Sequence, residues 1–94
     1  MRTLALELGA HGVRVNLISP GFVEGPRLDG VIKTVAAIEK IPPEEEHEKW
    51  LEMIPLHRFV KPENIAEGVL FLASDRSAGI TGDDLNISGG LVMY

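Results

Sequence analysis

Only two stretches of this chain read as β-strand, and they lie near its opposite ends. Val13-Arg14-Val15-Asn16-Leu17-Ile18 is rich in β-branched residues and is closed by Ser19-Pro20-Gly21, a turn signal. Asp84 to Ser88 is the second, closed by Gly89-Gly90. Everything between them is helical pattern or turn. A helix leading straight into a strand indicates α/β layering with a parallel sheet. Two parallel strands joined by a long crossover leave an open edge of unpaired backbone groups and a sheet face without cover. The organisation therefore points to further strands that this sequence does not contain.

Helical periodicity accounts for most of the rest. Met1, Leu4, Ala5 and Leu8 recur at i, i+3, i+4 and i+7, which predicts an amphipathic helix stopped by Gly9 and Gly12. No capping residue precedes it, as expected of a helix belonging to a longer domain. Arg27 to Lys40 carries Leu28, Val31, Ile32, Val35, Ala36 and Ile38 at helical spacing, and Pro42-Pro43 breaks the run. Pro43 suits the first position of another short helix, where Glu44, Glu45 and Glu46 meet the positive end of the dipole. Its apolar stripe is Trp50, Leu51 and Ile54, and Pro55 stops it. An insertion of this length between strands often forms a lid over a site.

Pro62 opens the clearest helix, with Ile65, Ala66, Val69, Leu70, Leu72 and Ala73 on a broad apolar face that Phe71 widens. Gly68 inside it costs up to ~1 kcal/mol against Ala, which suggests close packing at that point. Asp75 to Asp84 reads as a turn-rich loop, and Leu91-Val92-Met93-Tyr94 as an apolar tail.

Composition narrows the function classes. Ninety-four residues allow one small domain, which buries only about 60–65% of its unfolded surface and is marginal without a partner. With 45% hydrophobic and 24% charged residues the chain is globular rather than disordered. Net charge is −5 without a Lys/Arg run, which argues against nucleic acid or an anionic membrane as partner. Cysteine is absent, which excludes a disulfide, a thiolate nucleophile and a Cys-type zinc site. No apolar run approaches the ~20 residues of a membrane span. The Met-Arg start does not resemble a signal peptide, so a cytoplasmic location is expected.

Candidate chemistry is sparse. His11, His47 and His57 fall on different elements. Glu46-His47-Glu48 has metal-binding residue types, but adjacent helical residues point in different directions, and a solvated acidic first turn is expected instead. Asp83-Asp84 is read as serving the turn before the last strand. No metal site is assigned. One feature remains, a strand ending in Pro20-Gly21 with an insertion after it. Open α/β sheets bind ligands beyond the carboxyl ends of their strands, and Gly permits close approach. An ordinary Pro-Gly turn accounts for the same residues.

Thr3-Leu4-Ala5-Leu6-Glu7-Leu8-Gly9, Gly12-Val13-Arg14-Val15-Asn16, Ser19-Pro20-Gly21, Pro62-Glu63-Asn64-Ile65-Ala66, Phe71-Leu72-Ala73-Ser74-Asp75, Ile80-Thr81-Gly82 and Asn86-Ile87-Ser88-Gly89-Gly90 stand in this order. In order and spacing they resemble the short-chain dehydrogenase/reductase family. The resemblance spans residues 1–94 and is weakest around residues 30–50. It implies an α/β fold, the C-terminal part of a Rossmann-like doubly wound parallel sheet, here with two strands and about four helices. The rest of the NAD(P)-binding domain would lie N-terminal to residue 1.

The family's activity is hydride transfer between NAD or NADP and an alcohol or ketone. Its glycine-rich loop, catalytic Ser and Tyr-x-x-x-Lys motif precede the point where Met1 stands, so no catalytic residue is carried over. The Tyr would be the general acid/base, with the Lys lowering its pKa. Tyr94 has no Lys three or four residues away.

The resemblance does imply cofactor-binding residues: Pro20 and Gly21 at the nicotinamide wall, and Val23 where main-chain atoms bind the carboxamide. The expected substrate lid runs from Phe22 to Ile54, with Phe22, Leu28, Val31, Ile32 and Trp50 as its candidate residues. Four positions depart from the family pattern: Gly25 for Thr, Ser88 for Asp, His57 for Gly, and Lys61 for a Ser, Thr or Asp cap. The chain alone is not expected to hold the cofactor tightly or to catalyse. Its expected partners are a small-molecule carbonyl or alcohol substrate in the intact enzyme, and another copy or a complementing N-terminal half. The alternative is a non-catalytic oligomerising module that pairs with itself or with a full-length relative.

Overall fold

The backbone of residues 13–20 is governed by what lies beside it. In the computed structural model, which describes residues 1–92, the first strand is Leu17–Pro20 (β1) rather than residues 13–18. Residues 15 and 16 are held instead by single bonds to the loop before the last strand. Val15 N–H donates to Thr81 Oγ1 (3.0 Å), Gly82 N–H to the Val15 carbonyl (2.8 Å), and the Asn16 side chain bonds both Ile80 O and Asp83 N (3.0 Å each). Ladder pairing starts only where that loop ends. β1 then runs parallel to Asp84–Ile87 (β2), with Leu17 opposite Asp84 and Pro20 opposite Ile87.

Ser19-Pro20 thus belongs to the strand and not to a turn. Pro20 is tolerated there because of phase. Leu17 and Gly21 donate to the carbonyls of Asp83 and Ile87 (2.9 and 3.0 Å). Alternate residues face β2, so the N–H that Pro20 lacks would have pointed to the open edge.

Helices follow the proline punctuation. Arg2–Gly9 (α1), Pro26–Glu39 (α2), Pro43–Glu52 (α3) and Pro62–Ala73 (α4) form, and the last three each begin on a proline. α4 is the last α-helix of the connection between the two strands, as expected. Lys61 at its N-cap has no side-chain acceptor for the free helix N–H groups, and only the reciprocal half of a capping box forms, Asn64 Oδ1 accepting from Lys61 N–H at 3.0 Å. Gly68 is buried against the sheet, where a Cβ would overlap Ile87 Cδ1 and touch Leu85 Cδ2 at 3.5 Å and Ile18 Cδ1 at 3.7 Å.

The stretch expected as a plain loop opens with a 3₁₀ turn, Asp75–Ser77. Arg14 reaches across to it, donating to Ser77 Oγ (2.9 Å), Ile80 O (3.2 Å) and Ser74 O (3.2 Å). Ser77 is fully buried, and its hydroxyl also lies within bonding distance of Leu72 O (2.9 Å) and Ser74 O (3.1 Å).

Burial is uneven. The core consists of Ile32, Ile54 and Phe59 with Phe22, Leu28, Trp50, Leu51 and Leu91 packed on it, and so sits between α2, α3 and the segment after α3. Around the sheet, by contrast, large apolar side chains are open: Leu17 on β1, Val69, Leu70 and Phe71 on α4, and Leu4 and Leu6 on α1, Leu6 at 80%. The chain measures 55 × 23 × 22 Å with a radius of gyration of 17.1 Å, where a compact domain of this length has about 12 Å. Its surface of 6640 Å² exceeds by roughly 1,300 Å² that of a typical folded monomer of 10.2 kDa. Among the described residues no helix is long and apolar enough to cross a membrane.

Candidate functional site

At the carboxyl end of β1 the chain passes over the end of β2 at very close range. A Cβ on Gly21 would sit 2.9 Å from both Cα and Cβ of Ser88, a buried residue, so only glycine lets the turn lie there. The next residues pair with the far end of the insertion. Val60 N–H donates to Phe22 O and Glu24 N–H donates to Val60 O, both at 2.8 Å, forming a parallel bridge centred on Val23. In such a bridge the central residue's own N–H and C=O point away from its neighbour. Those two groups of Val23 have no hydrogen-bond partner among the described residues. A donor and an acceptor one residue wide thus stand at the end of the sheet, beside a glycine cradle.

Phe22 turns the other way, into the core. Its ring centroid is 4.9 Å from that of Trp50 and 6.3 Å from Phe59, which it meets edge to face. Leu28, Ile32 and Trp50 join the same cluster, so four of the five expected lid residues pack on one another. Val31 does not: it lies on the outward face of α2, 44% exposed. Between α2 and α3 a groove of about 290 Å³ is lined by Asp29, Ile32, Lys33, Pro43, Glu44 and His47. A wider cleft of about 640 Å³ opens beyond the carboxyl end of β2, floored by Asn86 to Gly90 and walled by Pro55, Leu56 and Val92. Gly90 admits Pro55 there, since a Cβ would come within 2.9 Å of Pro55 Cγ.

The acidic turn of α3 is not solvated as a unit. Glu46 is 2% exposed, and its Oε1 accepts from Trp50 Nε1–H at 2.6 Å. The residues share a helix face at a spacing of four, so the packing that buries Trp50 also buries Glu46. His47 meets Phe59 edge-on at 5.0 Å, while Glu48 lies 3.1 Å from His57 Nε2. Lys49 bonds Glu39 at 2.9 Å. That contact holds the Glu39 carboxyl below its usual range and pushes the Lys49 ammonium up. Asp84, read as a turn residue, opens β2 and accepts from Ser19 Oγ at 2.7 Å. Met93 and Tyr94 of the expected apolar tail lie outside the described residues.

A glycine-floored turn at the carboxyl edge of parallel strands, with a helical insertion after it, defines a Rossmann-like nucleotide-site architecture. The family model described as enoyl-(acyl carrier protein) reductase matches residues 1–92, and the chain belongs to that family, among the short-chain dehydrogenases/reductases. It is 45% identical over 92 residues to the 3-oxoacyl-[acyl-carrier-protein] reductase FabG of Thermotoga maritima, covering 98% of this chain and 33% of that one. It is 39% identical over 92 residues to the human (3R)-3-hydroxyacyl-CoA dehydrogenase, covering 98% of this chain and 31% of that protein. Among solved structures, the F189W actinorhodin polyketide ketoreductase with NADPH superposes with a TM-score of 0.88 at 34% identity, over 99% of this chain and 36% of the other. The chain spans about a third of the length of the curated relatives it matches.

Proposed function

We propose that this chain supplies the nicotinamide-facing wall and the substrate lid of an NAD(P)-dependent oxidoreductase that interconverts a small carbonyl compound and its alcohol. On this reading it does not catalyse hydride transfer alone. The observation that carries it is Val23. A nicotinamide carboxamide presents one C=O and one NH₂, and the unpartnered N–H and C=O of Val23 are the complementary pair.

The residues at hand fit that end of the cofactor. Gly21, having no Cβ, lets the end of β1 lie directly on Ser88 at the end of β2, which places Val23 beside the carboxyl edge of the sheet. The cofactor, when bound, supplies or accepts the hydride. What this chain's residues do is fix the ring's amide, exclude water through the Phe22–Trp50–Phe59 cluster, and cover the substrate with α2 and α3. Gly25, in place of a hydroxyl residue, offers no side-chain contact to the cofactor phosphates. The proton-transferring Tyr and its Lys come from a complementing segment that also pairs with the open edge of β1. The substrate class follows the relatives' names, which describe 3-oxoacyl and 3-hydroxyacyl compounds. A cytoplasmic site of action goes with this reading.

A second reading, an assembly module that pairs with itself or a full-length relative, is favoured by the molecule's roughly 1,300 Å² of surplus surface and by the apolar side chains left open on β1, α1 and α4. One experiment separates the two. The chain is assayed for NADPH-dependent reduction of a 3-oxoacyl thioester, alone and with the preceding two-thirds of the Thermotoga relative expressed separately. Turnover only in the mixture, lost on Gly21→Val, is expected. Turnover by the chain alone, or a mixture that associates but stays inactive, refutes the proposal.

A further inference from the structure

Glu46 is a carboxylate buried without an obvious need. Its Oε1 accepts from the indole of Trp50 at 2.6 Å, and its Oε2 makes no hydrogen bond among the described residues. Beside it stand the Lys49 ammonium, at 3.6 Å, and the Glu39 carboxyl, which Lys49 and Glu46 both hold below its usual range. Lys49 is half exposed and divides its charge between Glu39, which it hydrogen-bonds, and Glu46, with which it makes the longer ion pair. A buried acceptor that leaves one oxygen unbonded opposes stability. An apolar residue at position 46 would pack on the same core without that cost. What Glu46 gives in return is direction. An indole has two faces and several rotamers, but a single N–H, and an acceptor held at i−4 selects one orientation. The ring so oriented lies 4.9 Å from Phe22, the residue next to Val23 whose carbonyl anchors the bridge to Val60.

We propose that Glu46 is a positioning residue: it orients Trp50 on Phe22 and thereby fixes the main chain of Val23 at the end of β1. The inference rests on the nicotinamide-wall reading for its purpose, while its geometry can be tested without any cofactor. Trp50 is the only tryptophan, so its emission reports this contact alone.

The experiment compares Glu46→Gln and Glu46→Leu in the full chain by tryptophan emission, acrylamide quenching and the ¹H–¹⁵N resonances of Phe22 and Val23. Gln keeps an acceptor for the indole, and its spectra should stay close to those of the parent. Leu removes the acceptor; Trp50 emission should shift to longer wavelength with stronger quenching, and the Val23 amide should move. If Glu46→Leu does not fold, Trp50→Phe removes the donor while keeping an aromatic ring on Phe22, and should move Val23 in the same way. The proposal is overturned if loss of the acceptor or donor leaves Val23 in place. It is equally overturned if Gln disturbs Val23 as much as Leu, because charge and not the indole bond would then be the cause. A failed cofactor assay with intact Glu46–Trp50–Val23 coupling would count against the nicotinamide reading alone.

Discussion

Two helical glycines in this chain have opposite surroundings and should respond oppositely to the same substitution. Gly30 lies within α2, and a Cβ there would meet nothing within 4 Å. Gly30→Ala should therefore stabilise by about 1 kcal/mol, the helix-propensity difference. Gly68, within α4, would gain the same increment but place its Cβ on Ile87 Cδ1, with Leu85 and Ile18 just behind. Overpacking of this kind costs about 1–3 kcal/mol, so Gly68→Ala should be neutral to about 2 kcal/mol destabilising. The two variants should thus differ by roughly 1–3 kcal/mol. Ile87→Val removes the colliding methyl. Alone it should cost about 0.5–1.5 kcal/mol, but on the Gly68→Ala background its cost should fall or reverse, a coupling of order 1 kcal/mol. Urea unfolding followed by far-UV circular dichroism, at one fixed protein concentration, measures all four. Equal stabilisation by the two alanines, or additivity of Gly68→Ala with Ile87→Val, would show that α4 does not sit on β2 as described.

Arg14→Met should lose about 1–3 kcal/mol of stability, since it removes three charge-assisted bonds to Ser77, Ile80 and Ser74, although the two carbonyls keep Asn16 and Ser77 as donors; thermal unfolding checks this, and a change below about 0.5 kcal/mol would discount the corner. The Glu39–Lys49 pair should contribute stability above the ordinary glutamate value of 4.5 and lose it as pH falls through the lowered folded value. The Lys49 side of the pair is fully present below the ordinary lysine value of 10.5 and fades as pH rises through the raised one. Both groups are solvent-exposed, so Lys49→Met should flatten the acid limb of a stability–pH curve only slightly, and not at all in high salt. At micromolar concentration the folded chain should sediment above 10.2 kDa, because β1, α1 and α4 leave Leu4, Leu6, Leu17 and Leu70 open; a well-behaved monomer would refute that.

Two helix starts were legible because proline marks them, Pro43 and Pro62 each standing at a first helical position, where a missing N–H costs nothing; Pro26 marks α2 in the same way, one residue before the Arg27 that periodicity indicated. The first strand was placed too early because β-branched residues at 13–18 report a pleated, half-buried environment, whereas the ladder depends on where the partner strand begins. Glu46 was misread from its acidic neighbours, although Trp50 four residues on was a signal that both share one face. Pro20-Gly21 was visible as punctuation, though it closes the strand rather than turning, and its importance rests on Ser88 lying beneath Gly21. The role of Val23 belongs to its main chain, which any side chain would share, so only family resemblance pointed to it. The corner held by Arg14 had no local signal, because its partners are more than fifty residues away.

The bridge between Val23 and Val60 closes the insertion at its base. The chain leaves the sheet at Phe22 and returns at Val60 through two hydrogen bonds of 2.8 Å, so both feet of the helical pair stand on one point. A loop whose ends are tied in this way transmits little of its own length to the sheet, and doubling it would add only about 0.6 kcal/mol of closure entropy. The residues between the feet that do not hold Trp50 on Phe22 can therefore diverge or lengthen while Val23 stays in register. If the chain acts as proposed, substrate choice and cofactor contact are separable traits in such an arrangement, and one can drift with little effect on the other.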